Sequence, residues 1–198
     1  MFSVIHFQSD PSYPGHGRPT KPSTLSNGGT FGLTVFCPPL ILGPWVHPLG
    51  ASGLASLNDP NRQIKNIVRG DFRSSHLPQP LAPLWVDVRD VALAHVEAAL
   101  QPNPSGPSSN GRYTTCSPEK FNYHLVGEII KEEFPEWAED VLPPKEDIPP
   151  FKNISLDGTP VTEDLGVTYR SFRECIVDLV RQLRVEVLQE AEANNSEL

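Results

Sequence analysis

The chain has 198 residues, enough for one domain with a real core and cramped for two. It carries 24 acidic against 16 basic residues, a net charge of −8, and no stretch gathers five or more Lys or Arg, which excludes the electrostatic footprint of a nucleic-acid or anionic-membrane binder. Apolar content is 38% and there are 22 prolines, so the core must be concentrated in a few segments joined by irregular connections.

Residues 1–30 form the first expected stretch. The opening "MFSVIHFQSD" lacks the basic start and long apolar run of a signal peptide, and no segment reaches transmembrane length, so the sequence predicts a cytoplasmic protein without a membrane partner. Cys37, Cys116 and Cys175 are odd in number, far apart and free of any CxxC, which suits reduced thiols. Sequons at Asn153 and Asn194 are read as chance matches in such a protein. Residues 8–30 are rich in Pro, Gly and Ser with almost no aliphatics and are expected to be loose.

"FGLTVFC", from Phe31, reads as a strand buried on both faces of a parallel sheet, stopped by Pro38 and Pro39. "LILGPW" continues extended, and "LGASGLASLNDPNRQIKNIVRG" reads as helical from Ser52 with an interruption at Pro60. "LAPLWVDV" supplies a second strand; Asp87 then caps a helix running to about Leu100, with Asp90 in its first turn. That helix, "VALAHVEAAL", is apolar on nearly every side, so it is expected to be buried all round. After a breaker-rich loop, "RYTTC" is a short strand. "SPEKFNYHLVGEIIKEEFP" predicts a helix capped by Ser117 and ended by Pro135. The last helix opens at "SFRE", where Ser171 and Glu174 have capping-box spacing, with a stripe of Phe172, Ile176, Leu179, Val180, Leu183 and Val187. Residues 189–198 read as a frayed tail. Strands alternating with helices favour an α/β layered fold over a bundle.

The absences carry as much weight. There is no phosphate-binding Gly-x-x-x-x-Gly-Lys, no Gly-x-Gly-x-x-Gly and no Gly-x-Ser-x-Gly. The six histidines lack metal-ligand spacing, so no metal site is predicted. His95 reads as a satisfied core or interface residue rather than a base. Asp87, Arg89 and Asp90 read as helix capping with a local ion pair, although a guanidinium at a strand end also sits where open α/β sheets bind ligands.

Taken together, "LTVFCPPLILGPW", "LGAS", "LWVDVRDVALAHVEAAL", "GRYTTCS" and "SFRECIVDLVRQL" resemble the C-terminal half of an extended short-chain dehydrogenase/reductase, within the NAD-dependent epimerase/dehydratase superfamily and near its dihydroflavonol, methylglyoxal and ketone reductases. The resemblance covers residues 31–188. It implies an α/β fold, the remnant of a Rossmann-like parallel sheet with a small, mostly helical C-terminal substrate domain. It places Pro38, Pro39 and Leu40 beside the nicotinamide of NADP or NAD, and Ser52 near the phosphate or substrate side. It implies a small carbonyl substrate, and it explains the apolar helix as one packed between the sheet and the substrate domain.

The family's proton donor is a Tyr followed four residues later by a Lys, aided by a Ser. Tyr13, Tyr113, Tyr123 and Tyr169 all lack Lys at that position, so no catalytic residue is assigned. The expectation is a truncated NAD(P)H-dependent carbonyl oxidoreductase-like protein, inactive alone. The alternative is a non-catalytic binding or regulatory subunit docking on a full-length relative through an open apolar edge at Leu33 to Cys37.

Overall fold

The computed structural model describes residues 3–8, 23–24, 30–100, 112–141 and 153–196. Among them, six strands, β1 (Ser3–Gln8), β2 (Ser23–Thr24), β3 (Thr30–Cys37), β4 (Leu40–Leu42), β5 (Trp85–Asp87) and β6 (Arg112–Thr114), are joined by six α-helices. These are α1 (Asp59–Val68), α2 (Val88–Leu100), α3 (Tyr123–Glu133), α4 (Pro135–Val141), α5 (Thr159–Leu165) and α6 (Phe172–Ser196), with a 3-10 segment at Gly50–Ser56. The chain divides into two compact units, where length alone favoured one, because length bounds the amount of core and not how it is partitioned. The first unit takes Met1–Leu40, Leu84–Pro118 and Ser155–Tyr169; the second takes Ile41–Pro83, Glu119–Ile154 and Arg170–Leu198.

In the first unit, β3 is the centre of the sheet. On one side β1 runs antiparallel to it, from Ser3 opposite Phe36 to Gln8 opposite Phe31. On the other, β2 pairs antiparallel at Thr30 and Phe31, and β6 pairs parallel, Val35 opposite Arg112 through Cys37 opposite Thr114. This corrects two expectations. Residues 3–8 and 23–24 of the segment read as loose are strands, because an edge of β3 offers backbone partners to any uncharged extended run; the rest of 1–30 lies outside the described residues. For the same reason the edge at Leu33 to Cys37 is not open. Behind the sheet, Phe36, Ala94, Ala98, Tyr113, Val161, Leu165 and Val167 form one buried cluster, with Tyr169 against it.

Helix α2 starts as the sequence predicts: the Asp87 carboxylate accepts the backbone N–H of Arg89 at 2.8 Å, satisfying one of the orphan donors of the first turn. It is not buried all round, however. Val91, Ala94 and Ala98 face the core, whereas Leu93, Val96 and Leu100 are 38%, 50% and 68% exposed. A helix of this composition covers one face of a sheet, and its opposite face is apolar without being covered. Helix α5 escaped sequence reading because it has only seven residues. Its signals were a Pro in the first turn and Gly166, left-handed at φ 71°, as C-cap.

In the second unit, α1, α3 and α6 pack on one another around Ile64, Ile67, Phe121, Val126, Ile130, Ile176, Leu179 and Leu183, all buried. Pro60 does not interrupt a helix but opens α1 from its first turn, where its missing N–H costs nothing. Helix α3 begins later than predicted: Asn122, not Ser117, is its cap and accepts the Leu125 N–H at 2.8 Å, while the Phe121 N–H is spent on the Pro83 carbonyl. Pro135 ends α3 and at once begins α4. Ser171 Oγ accepts the Glu174 N–H at 3.2 Å, and the Phe172 N–H goes to Glu119 at 2.8 Å, so α6 is capped from within and from outside. The stretch read as a frayed tail continues α6 to Ser196, as its Glu, Ala and Gln favour.

Candidate functional site

Open α/β sheets bind ligands outside the carboxyl ends of their parallel strands. In the first unit that place is the end of the β3–β6 pair, where Cys37 and Thr114 are opposite each other and the Thr115 N–H reaches the Cys37 carbonyl. Pro38, Pro39 and Leu40 leave this end, all half-buried. Two prolines in succession fix φ and remove two donors, so the chain leaves the ladder with a rigid backbone. The segment after β6 is tied to β5 by the Ser117 N–H on the Trp85 carbonyl at 2.9 Å. Thr115, absent from the residues singled out in the sequence, is fully buried, and its hydroxyl has no hydrogen-bond partner among the described residues.

Ser52 belongs to the second unit and is exposed on the 3-10 segment, one residue before the kink at Gly53, φ 48° and ψ −138°. Within that unit the run from Ile41 to Trp45 is stapled by three carboxamides. Asn58 Nδ2 donates to the Ile41 carbonyl at 2.9 Å. Buried Asn61 accepts from the Gly43 N–H at 3.3 Å and donates to its carbonyl at 2.8 Å. Gln182 does the same for Trp45, at 3.0 and 2.8 Å. A primary amide matches the backbone's donor and acceptor, so these side chains act as short pieces of β-ladder. No spacing in the sequence pairs Asn61 with Gly43 or Gln182 with Trp45; only the packing of α1 and α6 does.

In the charged constellation at the end of β5, Asp87 and Arg89 pair with each other. Arg89 makes a two-pronged pair with Asp87, Nε to Oδ1 at 3.0 Å and Nη2 to Oδ2 at 2.7 Å, and Asp87 is fully buried. A buried carboxylate needs such a partner, and a planar guanidinium supplies two bonds in register. His95 is also occupied: Nδ1 is 2.6 Å from the Val91 carbonyl and the ring lies 4.4 Å from that of Phe36, while Nε2 is buried without a partner among the described residues.

Two of the described tyrosines donate within the first unit. Tyr113 donates to Asp164 at 3.0 Å, and Tyr169 donates to the Gly158 carbonyl at 3.0 Å. Burial pushes the Tyr169 phenol well above its ordinary range, with the charges of Cys116, Asp90 and Asp157 adding to it; Tyr123 is pushed the same way by burial. Burial likewise raises Cys116. Among the described residues no group of His, Cys, Asp and Glu could hold a metal ion, and no helix is long and apolar enough to cross a membrane.

No family model matches the chain. Ketoreductase azaE of Aspergillus niger is 33% identical over 156 residues, 77% of this chain and 44% of that protein. Cinnamoyl-CoA reductase 1 of Arabidopsis thaliana is 28% identical over 152 residues, 77% of this chain and 39% of that protein. Over these stretches the chain is similar in sequence to a ketoreductase and to cinnamoyl-CoA reductases. It spans under half the length of these reductases. Gre2 from Candida albicans shares the fold, with a TM-score of 0.61 at 23% identity over 79% of this chain and 45% of that one. Yeast methylglyoxal/isovaleraldehyde reductase Gre2, solved with NADPH, does so at 0.56 and 22%, over 75% and 42%. The α/β class and the Rossmann-like character of the sheet are thereby established.

The residues present do not make up a whole dinucleotide site of this superfamily. The chain contains no glycine-rich turn, and the side of β3 away from β6 is taken by antiparallel β1, whereas a dinucleotide is bound by parallel strands feeding helix N-termini.

Proposed function

We propose that this chain carries one wall of an NADPH-dependent carbonyl reductase's cofactor cleft, formed by Pro38, Pro39 and Leu40, with Ser52 on the phosphate or substrate side, and that alone it does not turn over. One observation carries this reading: homology to reductases over 77% of the chain in a sequence without a Tyr-x-x-x-Lys pair. NADPH is favoured over NADH because Gre2 is solved with it. The parental substrate class is a small or medium aldehyde or ketone, in keeping with the names of the relatives. The location is cytoplasmic, which three free thiols support. The test is NADPH oxidation by the purified chain with methylglyoxal and a series of aldehydes and ketones. No consumption above the protein-free rate is expected; sustained turnover would refute the reading.

A non-catalytic subunit docking on a full-length relative is the second reading. The exposed apolar stripe of Leu93, Val96 and Leu100 on α2 favours it, since apolar patches of this kind mark interaction surfaces. Co-elution with a full-length reductase, lost in Leu93→Ser/Val96→Ser, is the expected result; identical elution of both chains alone and mixed would dismiss it.

A further inference from the structure

We draw no further inference here: the strongest candidate, the exposed apolar stripe of Leu93, Val96 and Leu100 on α2, belongs to the docking reading already given, and nothing in the structure shows what covers it.

Discussion

Gly158 is where backbone meets backbone, and Gly158→Ala is the sharpest perturbation the structure offers. A Cβ built there would lie 2.0 Å from the Cys116 carbonyl oxygen, 3.1 Å from its carbon and 3.0 Å from the Tyr169 hydroxyl. The residue has φ −95° and ψ −3°, so the conformation suits any side chain; only the space is missing. Neither the carbonyl nor the phenol can step aside cheaply. The carbonyl belongs to the turn after β6, and Tyr169 donates to the Gly158 carbonyl itself. Overpacking of this kind costs about 1–3 kcal/mol or more, and loss of the tyrosine bond adds about 1 kcal/mol. The reduced entropy of the unfolded chain returns roughly 0.4–1 kcal/mol. The net is about 2–3 kcal/mol, which for a chain of this size lowers Tm by roughly 5–10 °C. Gly50→Ala is the control: its φ is +66° but nothing lies within 4 Å of the added carbon, so it costs only the left-handed penalty of about 1–2 kcal/mol. The assay is thermal unfolding by circular dichroism. A Gly158→Ala melt within a degree of wild type, or a Gly50→Ala melt lower than it, would refute the reasoning.

Other outcomes follow from single contacts. Asn61→Ala removes both bonds to Gly43 and should cost about 2–3 kcal/mol in urea unfolding; a loss under about 0.5 kcal/mol would show that the clamp is not energetically coupled to the fold. Thr115→Val replaces a buried hydroxyl that has no partner among the described residues with a methyl, and should stabilise by about 1 kcal/mol; destabilisation would mean the hydroxyl is satisfied. Cys37 is half-buried while Cys116 and Cys175 are buried, and burial keeps Cys116 in its unreactive thiol form, so Cys37 should react first with a thiol reagent at neutral pH; prior labelling of Cys116, read by mass spectrometry, would contradict this. The Thr159 hydroxyl and N–H hold the Asp157 carboxyl below its ordinary range. Its contribution to stability is present above the unfolded value, near 3.9, and is lost as pH falls through the lower folded value. Asp157→Ala should therefore show a smaller fall in stability below about pH 4 than wild type; identical acid titrations would speak against it.

Segments whose signal is local were legible in the sequence. The strand ended by Pro38 and Pro39, the Asp87 cap of α2 and the Ser171 cap of α6 all rest on residues within four positions of one another, where sequence order fixes geometry. Elements defined by partners were not. Ser3–Gln8 is a strand because β3 lies beside it, and Asn122 rather than Ser117 starts α3 because Phe121 is drawn to Pro83. Helix α2 looked buried on every side because composition cannot say which of two apolar faces finds a neighbour. The candidate site divides the same way. Pro38 and Pro39 are visible in the sequence as a rigid stop after β3, whereas Asn58, Asn61 and Gln182 become visible only once α1 and α6 are folded against the Ile41 to Trp45 run.

The proposed function requires that the chain fold while holding only one wall of a cofactor cleft. Thermal unfolding of the purified chain with and without saturating NADPH tests it most directly. A complete site occupied at a hundredfold excess over Kd would add about 2.7 kcal/mol and raise the midpoint by several degrees. The account predicts a cooperative transition that NADPH leaves in place; an upward shift of several degrees would show that the chain assembles a working dinucleotide site and would contradict it.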